Sequence, residues 1–137
     1  MLTENDVVVA VADYLSSRGY RIDRQRSTRE QGIDIEALDI RTGRRLLIEA
    51  KGATSSKEGT NRYNQPFTRN QAQSHVAVAL YCAARLRQEF VAEHADIALA
   101  FPDGAIHSHL VERISTSLKD LGIAVYFVSK DKGVRQS

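Results

Sequence analysis

Apolar positions along the chain follow two rhythms, one of about 3.6 residues and one of two, and the changes between them mark the elements. Val7, Val8, Val11, Tyr14 and Leu15 recur at helical spacing. Thr3 precedes them as an N-cap with Asp6 three residues on, and Gly19 follows at the C′ position, which predicts a helix over 4–18. Tyr20 and Ile22 flank Arg21 in a strand over 20–25. After a polar, arginine-rich stretch, two alternating runs over 33–39 and 45–51 flank Arg41-Thr42-Gly43-Arg44 and predict a β-hairpin. Thr68 and Gln71 form a second capping box ahead of Ala72, Val76, Leu80, Ala83 and Leu86, a helix over 69–88. Ile97–Phe101 is a short buried strand, ended by Pro102-Asp103-Gly104. Leu110, Ile114, Leu118 and Leu121 predict a helix over 106–121, stopped by Gly122, and 123–128 a last apolar strand. Residues 128–137 are expected as a flexible tail.

The order is therefore α-β-β-β-α-β-α-β. It predicts an α/β fold: a mixed sheet flanked by helices, since later strands joined through helices favour parallel crossovers. At 137 residues the chain is expected to form a single domain able to bury its own core. No apolar run is long enough to span a bilayer. The first residues lack the basic start of a signal peptide, and Cys82 is the only cysteine, so a reducing cytoplasmic setting is expected.

The hairpin carries charges that a buried strand normally avoids. Alternation puts Ile33, Ile35 and Ala37 with Leu46, Ile48 and Ala50 on a core face. Asp34 and Glu36 then share the other face with Leu47, Glu49 and Lys51. A two-residue loop, Thr42-Gly43, sets Glu36 opposite Glu49 and Asp34 opposite Lys51. Asp34 and Glu49 become diagonal neighbours, roughly 7–8 Å apart at the backbone, within reach of one shared cation. Facing carboxylates repel, so Glu36 is a second-choice ligand. The ordinary alternative for Asp34 and Lys51 is a cross-strand ion pair.

Phosphodiester hydrolysis requires an activated water, stabilisation of charge gained by the phosphoryl group, and stabilisation of the leaving oxygen. An oxygen-ligated divalent ion serves all three. Asp34, Glu49 and the backbone carbonyl of Ala50 are the candidate ligands, and Lys51 can orient water or balance phosphate charge. Charge distribution agrees. Residues 18–69 hold twelve Lys/Arg against seven Asp/Glu, a net +5, while the remainder holds seven against ten, a net −3. A basic rim around an acidic centre suits a polyanion. The aperiodic loop over 52–67 contributes Ser55, Ser56, Lys57, Arg62 and Tyr63, residue types that contact phosphates and bases.

Asp34 … Glu49-Ala50-Lys51, in this order of elements, resembles the PD-(D/E)XK nuclease superfamily. That resemblance covers residues 4–101 and implies a restriction-endonuclease-like fold, an α-β-β-β-α-β core here followed by a further helix and strand. It is nearest to small Holliday-junction resolvases and the restriction endonucleases related to them. It implies that Asp34 and Glu49 bind Mg²⁺, or Mn²⁺ as a substitute, and that Lys51 is the catalytic lysine. Many members carry a Gln at the start of the following helix, and Gln71 and Gln73 are the positions here. Gln71 has an equally good reading as a helix cap. Arg29, Lys57, Arg62, Tyr63, Arg69, Asn70 and Gln73 are the expected DNA contacts. The chain departs from the pattern in having no proline before Asp34. It also lacks the Glu that resolvase-like relatives carry within the first helix: around Val7-Val8-Val9 stand only Glu4, Asp6 and Asp13.

Other residues have plainer readings. His75 is expected at the surface or an interface, and Cys82 as a small core residue. His107 and His109 are too sparse for zinc. The expected function is a metal-dependent DNA endonuclease acting as a homodimer. The alternatives are a catalytically silent nuclease fold that binds DNA or serves as a structural subunit, and a nuclease specific for branched DNA or RNA. A nucleotide-binding protein is disfavoured by the lack of a Gly-rich phosphate loop.

Overall fold

The structure, a computed structural model, describes residues 1–25, 33–54 and 66–137. Helix α1 (Glu4–Ser16) opens with the expected reciprocal cap: Asp6 N–H donates to Thr3 Oγ1 at 3.1 Å and Thr3 N–H donates to Asp6 Oδ2 at 2.9 Å. Strand β1 (Tyr20–Gln25) and the hairpin β2 (Ile35–Asp39) and β3 (Arg45–Ala50) follow. Helix α2 (Arg69–Glu89) starts with the second capping box. A short 3₁₀ turn then leads to strand β4 (Asp96–Pro102). Helices α3 (Ala105–Glu112) and α4 (Ser115–Leu121) precede β5 (Ile123–Val128) and β6 (Val134–Gln136).

The described strands form one six-stranded mixed sheet in chain order, β1 to β6. β1, β2 and β3 pair antiparallel, β3, β4 and β5 pair parallel, and β6 returns antiparallel on β5. Two expectations are corrected here. The single helix over 106–121 is broken at Arg113-Ile114 into α3 and α4. Within the expected tail, Val134–Gln136 is the edge strand β6, fixed by a turn over 129–133 and by Arg135, whose guanidinium donates to both oxygens of Asp103 at 2.9 and 3.0 Å.

Both sheet faces are covered, which is why the central strands are almost continuously apolar. On one face α1 packs Val7, Val8, Val11 and Leu15 against Ile35, Ala37, Leu46, Ile48, Ala50, Ala98 and Ala100. The alanines let the helix approach closely. Full burial of each large side chain contributes roughly 1.5–3 kcal/mol. On the other face α2, α3 and α4 pack Val76, Ala79, Ala83, Leu86, Val111 and Leu118 onto Leu47, Leu99, Phe101, Val125 and Phe127. Ile33, expected beside Ile35, instead packs against this second cluster, because it precedes the regular strand. Among the described residues, no helix is long and apolar enough to cross a membrane.

The hairpin register differs from the expected one by two residues. Asp39 N–H donates to Arg44 C=O at 2.9 Å and Gly43 N–H to Asp39 C=O at 2.8 Å, so the loop holds four residues, 40–43. Asp39 Oδ1 accepts from Arg41 N–H at 3.0 Å and Gly43 takes φ +74°, a conformation that glycine adopts without strain. Ile35 therefore lies opposite Ile48, and Glu36 opposite Leu47. A shift of two residues leaves the paired residues 35–38 and 45–48 on their expected faces, since strand alternation has a period of two.

Candidate active site

The corrected register brings the two motif carboxylates together. One step beyond the Ile35–Ile48 pair, Asp34 meets Glu49 directly instead of diagonally, within reach of a hydrogen bond between their carboxyl groups. Asp34 is 8% exposed, and its Oδ2 accepts from Ala50 N–H at 2.8 Å. Lys51 N–H donates to Ala100 C=O on the β4 side at 3.0 Å. Alternation along β3 therefore turns the N–H and the carbonyl of Ala50 toward Asp34. Two carboxylates and one backbone carbonyl converge at the open end of the hairpin.

Lys51 Nζ stands 3.7 Å from Glu49 Oε1, with the two side chains 20% and 12% exposed. Glu4, in the first turn of α1, approaches the same ammonium at 4.0 Å. Expectation had assigned the first helix no acidic residue for this site, so Glu4 was missed. A close contact places it there. A Cβ at Gly52 would overlap the Glu4 nitrogen and lie 2.6 Å from the Thr3 carbonyl carbon, and Ala53 N–H donates to Leu2 C=O at 2.8 Å. The exit of β3 is thereby clamped to the start of α1. In the sequence, Glu4 has the ordinary appearance of a first-turn acid that complements the helix dipole. Nothing short of the fold links it to Lys51.

Three part-buried or buried carboxylates thus face one lysine. Burial, the Asp34 charge and Glu4 together push the Glu49 carboxyl up to about 7, against an opposing pull from Lys51. Burial and Asp34 also raise Glu4, again opposed by Lys51. The cluster lacks positive charge, and a proton or a cation must supply it. Among the described residues, no three His, Cys, Asp or Glu side chains converge closely enough to form a complete metal cage. The donor set is two carboxylates and one backbone carbonyl. It fits Mg²⁺, which keeps several waters, better than zinc.

Helix α2 lines the site with residues seven apart. His75 lies in the field of Lys51, which together with burial lowers its pKa. Its Nδ1 is buried without a hydrogen-bond partner among the described residues, and its ring meets Phe67 edge-on at 4.4 Å. It is half-buried, beside the site. Cys82 is also only partly buried. Its thiol pKa is raised by burial and by the neighbouring Glu49 charge.

Glu36, the second-choice ligand, is corrected: the register carries it away from Glu49, and its Oε2 accepts from Arg45 at 3.0 Å. Gln71 uses its side-chain oxygen to accept from Thr68 N–H at 2.8 Å, so its capping role is realised. Arg69, Asn70 and Gln73 are exposed on the first turns of α2. Arg29, Ser55, Ser56, Lys57, Arg62 and Tyr63 lie outside the described residues. Arg41, Arg44 and Arg45 sit at the turn end of the hairpin, away from the carboxylates, and are engaged with Asp39, Asp96, Glu36 and Glu93.

Comparisons of the chain with protein-family models, curated proteins and solved structures gave no match.

Proposed function

We propose that the chain is a metal-dependent nuclease of the restriction-endonuclease-like fold that hydrolyses backbone phosphodiesters of DNA. The observation that carries this reading is the meeting of Asp34 and Glu49 beside the backbone of Ala50, with Lys51 adjacent and too little positive charge to balance the carboxylates. The α-β-β-β-α-β order and the antiparallel hairpin that presents Asp34 and Glu-x-Lys support the resemblance to PD-(D/E)XK nucleases. Glu4 gives the first helix an acidic residue at the site, which favours the resolvase-like branch.

In this reading Asp34, Glu49 and the Ala50 carbonyl would hold Mg²⁺, or Mn²⁺ in its place, which would supply activation of water and neutralisation of charge on the phosphate. Asp34 is held in place by the Ala50 N–H, so one carboxylate is fixed before any ion binds. Lys51 is aimed by Glu49 and Glu4 and stabilises negative charge on the phosphate or orients the attacking water. Arg69, Asn70 and Gln73 present exposed polar groups to the nucleic acid, and dimerisation in a cytoplasmic setting would widen that surface. A catalytically silent fold would gain nothing from retaining a buried carboxylate pair that raises Glu49 so far.

Nicking of supercoiled plasmid in Mg²⁺ tests the reading. EDTA abolishes nicking, and Lys51→Ala lowers it by ~10²-fold or more, the scale of losing a transition-state charge partner. Metal-independent cleavage, or full activity of Lys51→Ala, overturns the mechanism. DNA retardation without cleavage in any metal supports the silent binding module instead. Duplex, single-stranded, flapped, four-way and RNA substrates then separate the substrate classes.

A further inference from the structure

His75, Ala79 and Cys82 lie on one face of α2 at helical spacing. Ala79 is fully buried in the cluster that contains Leu47 of β3. Leu47 shares its strand face with Glu49, and Lys51 follows two residues on. This face of the helix therefore stands over the strand end that carries the lysine. Phe67 ties the imidazole to the same place. Its N–H donates to Ala53 C=O at 3.0 Å, two residues past Lys51, and its ring meets the His75 ring edge-on at 4.4 Å.

Packing alone does not account for an imidazole here. Nδ1 is buried without a hydrogen-bond partner among the described residues, a cost that an apolar ring would not carry. Nε2 is not enclosed in this way, and the residue keeps partial exposure. Burial and the Lys51 charge lower the His75 pKa, so the ring is neutral at neutral pH and has one N–H to give. With the proton on Nε2 that donor can reach a partner, whereas the enclosed Nδ1 offers it none. Lys51 is likewise only a donor. Its Nζ stands 3.7 Å from Glu49 and 4.0 Å from Glu4, beyond the roughly 2.7–2.9 Å of a charge-assisted hydrogen bond. Two neighbouring donors with unspent capacity suit an anion that carries several acceptor oxygens.

We propose that His75 is a substrate-contacting residue of the nuclease site, its Nε2–H donating to a non-bridging oxygen of the phosphodiester beside Lys51. This assignment rests on the nuclease reading. The hydrogen bond strengthens as the phosphoryl oxygens gain charge, so it acts on the rate of cleavage more than on affinity. A purely structural imidazole would be replaceable by an aromatic ring that keeps the contact with Phe67.

One spectrum and two variants test the assignment. Imidazole nitrogen shifts of the native chain place the His75 proton on Nε2; a proton on Nδ1 overturns the proposal whatever the chain cleaves. Single-turnover nicking of plasmid in Mg²⁺ at saturating protein falls ~10–100-fold in His75→Phe, the scale of a hydrogen bond to a charged group. The protein concentration that gives half the maximal rate changes little. His75→Gln, whose amide nitrogen reaches nearly the place of Nε2, recovers most of the lost rate. The urea midpoint of His75→Phe equals or exceeds that of the native chain, because the unpartnered nitrogen is gone. Full activity of His75→Phe, a His75→Gln no better than His75→Phe, or a lowered midpoint of His75→Phe makes the ring structural and overturns the proposal, and the nuclease reading stands. Absence of nicking by the native chain in Mg²⁺ and in Mn²⁺ overturns both.

Discussion

Replacing Glu49 with Gln should stabilise the protein at high pH and leave it nearly unchanged at low pH. The folded-state pKa of Glu49 is raised from 4.5 to about 7 by burial and by Asp34 and Glu4. Between those values the folded chain holds a proton that the unfolded chain has released, so stability falls as pH rises. The favourable contribution of the protonated form is complete below about pH 4.5 and is lost as pH passes through about 7. The interval corresponds to ~3 kcal/mol, and the glutamine keeps the neutral form throughout. Urea denaturation in EDTA at pH 5 and pH 8.5 should show Glu49→Gln gaining up to ~3 kcal/mol over the native chain at the higher pH and little at the lower. Mg²⁺ should then stabilise the native chain at pH 8.5 and leave Glu49→Gln unmoved, because the ion does for the carboxylate pair what the proton does at low pH. A pH-independent difference between the two proteins would refute the electrostatic account of the pair. Equal Mg²⁺ stabilisation of both would remove Glu49 from the ligand set.

The remaining expectations concern how the pair is held. Gly52→Ala should cost about 2–3 kcal/mol in denaturant titration and lower nicking, because its Cβ strikes the α1 backbone that carries Glu4; a neutral substitution would show that the clamp is loose. Glu4→Gln should leave stability within ~1 kcal/mol and lower nicking, and unchanged activity would remove Glu4 from the site. Glu36→Ala should leave Mg²⁺ stabilisation and nicking intact and cost under ~1 kcal/mol; lost metal response would restore the two-residue loop register.

Local chemistry made much of this fold legible. The capping boxes at Thr3 and Thr68 start α1 and α2 where the sequence places them, because a cap requires only residues three apart. The chain order of helices and strands through β4 was also readable, and so were the faces of Ile35, Ala37, Leu46, Ile48, Glu49 and Ala50. The split between α3 and α4 was hidden by an apolar spacing that continues across it. Strand β6 was hidden because its polar residues lie on an edge, where its contacts are with β5 and Asp103.

The sequence by itself determined that Asp34, Glu49 and Lys51 share a strand face, since alternation with a period of two is a property of the backbone. It did not determine who faces whom. The register depended on a four-residue loop closed by Asp39 and Arg44, and that closure moved Glu36 to Arg45 and Asp34 to Glu49. Only the tertiary structure decided that Glu4 belongs to the site, because its approach depends on Gly52 meeting the start of α1 across 48 positions of chain. The same holds for His75 and Cys82, which the sequence left as a surface or interface residue and a small core residue. Packing of α2 over β3 turned them toward the charged cluster. Periodicity fixes direction along an element, but proximity between elements is set by packing.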